Sequence, residues 1–271
     1  RGLIRYIPTG LALPAFQVVS PQLFAGGQSL MPLMSLRLAR PAVIVDLNRI
    51  AGLDRIDVND DSSLTIGALA RQRALERDPS LVTLNPLLAA AVPLIGHFQI
   101  RNRGTVGGSL VHADPAAELP AVALTLGADF VIANSTGERV VSAEDFYLGY
   151  MATVVEANEV LTEVRVPTWK ADRLWAIEEV SRRKGDFAMV GVALWADLKG
   201  GACEDSRITL FGVGGKPIRV LKAEQRLNGS TLDPATLKEV EGIIFEELDP
   251  DSDIHASALY RKEVGGVLTR R

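Results

Sequence analysis

Ala25-Gly26-Gly27-Gln28-Ser29-Leu30-Met31-Pro32 decides how this chain is read, because Gly104-Thr105-Val106-Gly107-Gly108-Ser109 echoes it about eighty residues later. Each stretch joins paired glycines to hydroxyl side chains beside a segment of helical pattern. Consecutive backbone N–H groups in a tight turn converge on anionic oxygens. Glycine suits such a turn because it accepts positive φ and has no side chain to hold a phosphate away. Gly26-Gly27 and Gly107-Gly108 both qualify, and Ser29, Thr105 and Ser109 add hydroxyl donors that can rotate. A helix starting near Leu30 would turn its N-terminal dipole toward the same charge. One glycine pair is more often a plain tight turn, but two can close on one diphosphate from opposite sides. Neither turn contains Lys or Arg, so recognition would rest on backbone donors. That suits a dinucleotide that stays bound better than a triphosphate being hydrolysed.

Composition narrows the class. With 271 residues, 47% hydrophobic and 23% charged, and a net charge of −4, this is an ordinary globular composition with room for two modest domains. Acidic and basic residues are interspersed, so nothing points to nucleic acid. No window approaches the ~20 apolar residues of a membrane span. Cys203 is the sole cysteine, so no iron–sulfur cluster, disulfide or thiolate zinc site can be built from this chain alone. His97, His112 and His255 lie outside any metal-ligand spacing, and no nucleophile triad or carboxylate pair assembles. Neither a metal site nor a catalytic residue is therefore assigned, and redox chemistry would need an organic cofactor or another subunit. A strand–GxGxxG–helix unit is missing, so a Rossmann site has no support. Gly212-Val-Gly-Gly-Lys-Pro217 ends like a phosphate-binding P-loop, but Leu210 stands at its first glycine position and Pro217 at its Ser/Thr.

Periodicity predicts a helix over 30–38, a buried strand over 42–47, a strand over 63–67 and a helix over 68–76. A further apolar helix over 84–96 is expected to lead into the second glycine turn. Asp114 reads as N-cap and Pro115 as first residue of a helix through Leu126. Asn134-Ser-Thr-Gly137 signals a hairpin within 129–141, and 160–166 reads as a strand. Polar residues 168–173 mark a boundary. Beyond it come strands at 175–180, 189–198 and 208–211, then helices at 234–248 and 257–268, an α+β block. Glu118 lies four residues after Asp114, on the same helix face. Its carboxylate is open to two readings, a ribose contact or a solvated face.

On these residues the chain resembles the FAD-binding medium subunits of molybdenum hydroxylases, the xanthine dehydrogenase and aerobic carbon monoxide dehydrogenase type. Ala25 to Pro32, Arg37-Leu-Ala-Arg-Pro41 and Val45-Asp-Leu-Asn-Arg-Ile50 resemble the family's first signature, and Ile95 to Pro120 resembles the second. Ser181 to Ala188 and Ile254 to Arg261 are similar to stretches of its C-terminal domain. The likeness covers about residue 24 to the end.

The resemblance implies an α+β fold: a two-lobed FAD-binding domain of the p-cresol methylhydroxylase/vanillyl-alcohol oxidase type, then a small α+β domain. The expected division is 1–168, with lobes of about 1–54 and 55–168, followed by 174–271. Non-covalent FAD would lie between the lobes. Ala25, Gly26, Gly27, Gln28 and Ser29 would hold its pyrophosphate with Thr105, Gly107, Gly108 and Ser109. Glu118 would take the ribose, with Leu161 and Ile95 against the flavin. Glu178 falls where eukaryotic relatives carry a lysine near the flavin. Molybdenum–pterin would belong to a large partner subunit and 2Fe-2S clusters to a small one, in a dimer of heterotrimers. A cytoplasmic location is expected, with any membrane attachment made through partners. The substrate pocket would lie in another chain, and these motifs do not choose among NAD, quinone and oxygen as acceptor. The rival readings are a free-standing flavin oxidase and a structural subunit with an impaired FAD site. One departure stands out. Relatives begin strand–helix–strand, whereas Arg1 to Phe24 lacks that pattern, and Pro8, Pro14 and Pro21 oppose the helix.

Overall fold

The computed structural model describes the backbone of Leu3–Tyr6 and all of residues 22–271. The chain opens with β1 (Leu3–Tyr6) and β2 (Gln22–Phe24), then α1 (Leu30–Ser35) and β3 (Val43–Asp46). Both earlier strands pair in parallel with β3, which gives the order β1-β3-β2. The segment from Arg1 to Phe24 thus supplies two strands that its pattern did not announce. Strands of three and four residues are too short to show a period. The expectation that the prolines exclude a helix concerns residues 7–21, outside the described ones.

A five-stranded antiparallel sheet follows, ordered β4-β5-β10-β6-β7. Its first strands are β4 (Ile56–Val58) and β5 (Leu64–Gly67). Then come α2 (Gln72–Arg77), α3 (Leu81–Leu84), α4 (Pro86–Ala91), a 3-10 turn (Val92–Leu94), α5 (Phe98–Arg103), α6 (Val106–His112) and α7 (Glu118–Leu126). The helix expected over 68–76 starts only at Gln72. The one expected over 84–96 is broken, because Asn85 caps a new helix by accepting the Leu88 N–H at 3.0 Å, with Pro86 following at its first position. α5 went unread, since Gly96 and Gly104 bracket it too closely for a period to show. Nor does Asp114 cap α7. Its carboxylate accepts the Ala116 N–H at 2.9 Å in a local turn, and the helix starts at Glu118.

The hairpin β6 (Asp129–Ala133) and β7 (Glu138–Ser142) forms where Asn134 signalled it, the Asn134 side chain accepting the Thr136 N–H at 2.8 Å. After α8 (Ala143–Phe146) and a small pair, β8 (Tyr147–Gly149) and β9 (Ala152–Thr153), β10 (Val160–Val166) returns to the centre of the sheet.

The last four strands form an antiparallel sheet in sequence order: β11 (Leu174–Val180), β12 (Val190–Lys199), β13 (Ala202–Phe211) and β14 (Ile218–Arg219). β13 starts earlier than expected because Gly200 and Gly201, with φ of 61° and 84°, close a two-residue hairpin that lets the strand run its full length. Three helices follow: α9 (Leu221–Leu227), unread in the sequence, then α10 (Pro234–Glu247) and α11 (Ala258–Arg270). Asp233 and Ser257 cap the last two.

Strand alternation divides this sheet between two cores. Val190, Val192 and Ala196 share a cluster with Val240, Ile244 and Leu268 of the C-terminal helices. On the opposite face, Ala193 and Trp195 join the core that holds α7. All nine residues of α7 are buried, Glu118 and Thr125 included, so no side of this helix faces solvent and it sits between the two halves of the molecule. Trp195 Nε1 donates to Thr125 O at 2.7 Å and locks the contact. Among the described residues, no helix is long and apolar enough to cross a membrane.

Candidate functional site

The two glycine stretches meet in space. A Cβ added to Gly26 would lie 2.9 Å from Gly104 Cα and closer still to Arg103 O, so only hydrogen lets the first stretch approach the second. A Cβ on Gly108 would fall 3.9 Å from Ala25 Cβ. Gly27 takes a φ of 73°, which a side chain resists. The Gly27 and Ser29 carbonyls accept from Met31 N (3.0 Å) and Leu33 N (3.2 Å), starting α1. The N–H groups of Gly26, Gly27, Gln28 and Ser29 have no acceptor among the described residues. Ser29 caps α1 by position alone, leaving its hydroxyl uncommitted.

The second stretch is built differently from its sequence expectation. It is not a tight turn but the first turn of α6. Thr105 caps it, its hydroxyl accepting from Gly108 N at 3.0 Å. Val106 N donates to Ala70 O (3.0 Å), Gly107 N to Ala68 O (2.8 Å) and Ser109 N to Thr105 O (3.2 Å), so these N–H groups are spent inside the protein. Neither Gly107 nor Gly108 has positive φ. Gly107 is glycine because a Cβ would lie 2.5 Å from Ala68 Cβ and 2.8 Å from Ala68 O, where the helix meets the loop after β5. The two jaws are therefore unequal. The first presents free backbone donors, and the second offers the half-buried Ser109 hydroxyl near a helix start, with the Thr105 hydroxyl buried as its cap. That donor set, with no side chain at Gly26 or Gly27, fits a bound diphosphate.

Two residues without an assigned role join the jaws. Asn48 Nδ2 donates to Ala25 O at 2.7 Å and to Asp46 Oδ1 at 2.6 Å. Asn48 Oδ1 accepts from Arg71 NH2 at 2.6 Å, and Arg71 NH1 donates to Arg103 O. Burial, and then the nearby Arg103 charge, lower the Arg71 pKa. Asn48 lay inside the quoted first signature. Arg71 had no local signal, since its role depends on a contact with residue 103.

Ile95 and Leu161 are buried at 9% and 3% exposure in the main core cluster and do not line an open surface. The Ile95 segment is anchored by Arg101, which donates to Ile95 O (2.8 Å) and Gly96 O (3.0 Å) while holding Glu76 through two bonds of 2.8 and 2.9 Å. Hydrogen bonding by Arg101 pulls the Glu76 carboxyl down to about 2. A Cβ on Gly185 would strike the His97 ring at 2.5 Å, so the 181–187 loop closes over the same segment.

Glu118 opens α7 at 4% exposure, which rules out the solvated-face reading. Its own backbone N–H acts on the carboxylate as a hydrogen-bond donor. Burial, reinforced by the charges of Glu179 and Asp114, raises its carboxyl to about 8. Glu178, the residue singled out in sequence, lies on the other face of β11. There it is half-exposed, 3.5 Å from Arg271. One step along the strand reverses the face, so Glu179 lies on the face of β11 opposite Glu178, with its Oε2 buried. Glu179 pairs across the sheet with Gly191, which in turn pairs with Phe211, and Phe211 packs on Ala121 of α7.

Residues 13–169 match the family model for the FAD-binding domain in molybdopterin dehydrogenase, and residues 175–271 match the CO dehydrogenase flavoprotein C-terminal domain. The chain is 39% identical to the 6-hydroxypseudooxynicotine dehydrogenase complex subunit alpha of Paenarthrobacter nicotinovorans, covering 92% of this chain and 84% of that one. It is 34% identical to the carbon monoxide dehydrogenase medium chain of Hydrogenophaga pseudoflava, covering 92% and 87%. Among solved structures, it is similar to the H. pseudoflava carbon monoxide dehydrogenase that lacks the Mo-pyranopterin moiety, with a TM-score of 0.94 at 33% identity, covering 100% and 95%. Quinoline 2-oxidoreductase from Pseudomonas putida 86 is also similar, with a TM-score of 0.90 at 36% identity, covering 99% and 95%.

Proposed function

The chain belongs to the FAD-binding medium subunits of the molybdenum hydroxylase family, and on that premise we propose that it holds FAD between its lobes and passes electrons from a partner to an external acceptor. The observation that carries this reading is the abutment of Gly26 on Gly104. It brings the stretch that carries the free N–H groups of Gly26 to Ser29 against the start of α6, where Ser109 adds a hydroxyl. In this reading Ala25, Gly26, Gly27, Gln28 and Ser29 take one side of the pyrophosphate, and Thr105, Gly107, Gly108 and Ser109 the other. Glu118 meets a ribose hydroxyl, while Ile95 and Leu161, buried in the core, support the flavin site from behind rather than touching the ring. Asn48 and Arg71 keep the jaws at a fixed separation.

When bound, FAD supplies a carrier able to take up and release one or two electrons. The chain's own part is to bind it, orient it and exclude water from the ribose end through α7. Residues 1–168, in lobes of about 1–54 and 55–168, form the FAD domain, and 174–271 the C-terminal domain. Cys203 alone cannot ligate a cluster, which supports 2Fe-2S clusters in a small partner and molybdenum–pterin in a large one, within a cytoplasmic dimer of heterotrimers.

The test is to express the chain alone and record its flavin spectrum before and after incubation with FAD. Yellow protein with a bound-flavin spectrum is expected, inactive on alcohols without partners. Folded, colourless protein that cannot be reconstituted would overturn the reading in favour of a structural subunit.

A further inference from the structure

The glycine stretches contain no Lys or Arg, yet the fold brings a cation to the seam between them. Arg71, just before α2, donates from NH1 to Arg103 O and from NH2 to Asn48 Oδ1 at 2.6 Å. Arg103 O is the atom against which Gly26 abuts, and Asn48 in turn donates to Ala25 O at 2.7 Å. The guanidinium thus stands one contact away from each jaw. Both of its acceptors are neutral amide oxygens, so these bonds satisfy donors without cancelling the charge. Arginine carries more N–H groups than the two used here, and the rest are uncommitted. Other arginines drawn out of solvent are matched to a carboxylate, Arg101 to Glu76 and Arg173 to Asp197. Arg207 instead donates to Leu124 O at 3.3 Å, at the carbonyl end of α7. Arg71 has neither kind of compensation among the described residues. Asp46, one of the acidic groups acting on it, is turned to Asn48, accepting from its side chain at 2.6 Å and its backbone N–H at 3.0 Å. Asp54 acts on it without a hydrogen bond, and Arg103 adds a like charge beside it.

We propose that Arg71 is the cation that neutralises the cofactor's diphosphate, acting from the seam on the charge held by the N–H groups of Gly26 to Ser29. This rests on the reading above, in which those groups bind the FAD pyrophosphate. A half-buried charge without a counter-ion is unfavourable, and a bound dianion relieves it. Backbone donors bring only partial charges to the site. Without Arg71 a dianion would approach a protein of net charge −4 with little fixed positive charge at the jaws. The bonds to Arg103 O and Asn48 fix where the charge stands; the charge itself is what the diphosphate meets. Recognition then rests on backbone donors and one full charge supplied from outside the glycine stretches.

FAD affinity of the flavin-stripped full chain, followed by flavin fluorescence quenching, tests this against potassium chloride. Between ~0.01 and ~1 M the screening length falls from about 30 to about 3 Å. Wild-type Kd is expected to rise ~5- to 20-fold over that range. The net charge of −4 acting alone would give the opposite trend, since salt would screen repulsion of the dianion. Arg71→Gln should weaken FAD ~10-fold at the lowest salt and ~3-fold or less at the highest. Arg71→Lys keeps the charge and loses the fork, so it should retain the salt response. Asn48→Ala removes the tie to Ala25 but not the charge, and should weaken FAD by the same factor at every salt. Circular dichroism verifies the fold of each variant. A wild-type Kd that stays level or falls with salt overturns the inference without any variant, and leaves FAD binding intact. So does an Arg71→Gln loss equal at low and high salt, which would reduce Arg71 to a brace. Absence of FAD binding at every salt instead overturns the proposed function, and this inference with it.

Discussion

Gly26→Ala is the most direct perturbation of the paired jaws. The new methyl would sit 2.9 Å from Gly104 Cα, where ordinary contact begins at 3.4 Å, so the jaws must part by about half an ångström or more. The obstacle is backbone and cannot rotate away. Overpacking of this kind costs about 1–3 kcal/mol of stability. The effect on FAD is separable. Losing most of one charge-assisted bond from the Gly26–Ser29 N–H groups removes about 1–2 kcal/mol, or ~5- to 30-fold in Kd. Fluorescence titration of the stripped variant gives the affinity, and far-UV circular dichroism verifies the fold. Gly242→Ala is the control, because Gly242 lies on exposed α10 with nothing within 4 Å of the added methyl. Affinity should be unchanged there and stability up to about 1 kcal/mol higher. A folded Gly26→Ala protein that binds FAD within about twofold of wild type would refute the two-jaw geometry, since the predicted loss is larger.

Arg101→Met should destabilise the chain by about 2–4 kcal/mol in urea unfolding, because it frees the Ile95 and Gly96 carbonyls and leaves Glu76 without its two-bond partner. Arg101→Lys should restore only part of this, lacking the planar fork. Stability of the FAD-free chain should fall on both sides of a maximum near the ordinary glutamate value of 4.5. Glu76 and Asp197 are both held down to about 2, chiefly by hydrogen bonds from Arg101 and Arg173 respectively. Their contribution is present above the ordinary values of 4.5 and 3.8 and is lost as pH falls toward about 2. Glu118 acts in the opposite sense: raised to about 8, it weakens the fold as pH climbs from 4.5 through that value. Urea midpoints against pH should show Glu76→Gln shrinking the acid limb and Glu118→Gln the alkaline one; unchanged limbs would remove these groups as the cause.

What the sequence determined by itself was local. Paired glycines beside hydroxyls marked two stretches that meet in space, Pro234 and Ser257 marked their helix starts, Asn134 closed its hairpin, and the long second signature identified the family. Each of these is written in a few consecutive residues, because caps and turns are satisfied by near neighbours. What only the tertiary structure decided depended on partners distant in the chain. Gly107 is a glycine because of Ala68, not because of its φ. The jaws are unequal because Ala68 and Ala70 consume the N–H groups of the second. Arg71 matters through Arg103, and Arg101 through Glu76. The choice of Glu179 over Glu178 is the sharpest case. Strand side chains alternate between faces, so a single position decides whether a carboxylate turns inward, as Glu179 does, or toward solvent, as Glu178 does. That assignment depends on which helix covers which face of the sheet, and no stretch of neighbouring residues contains it.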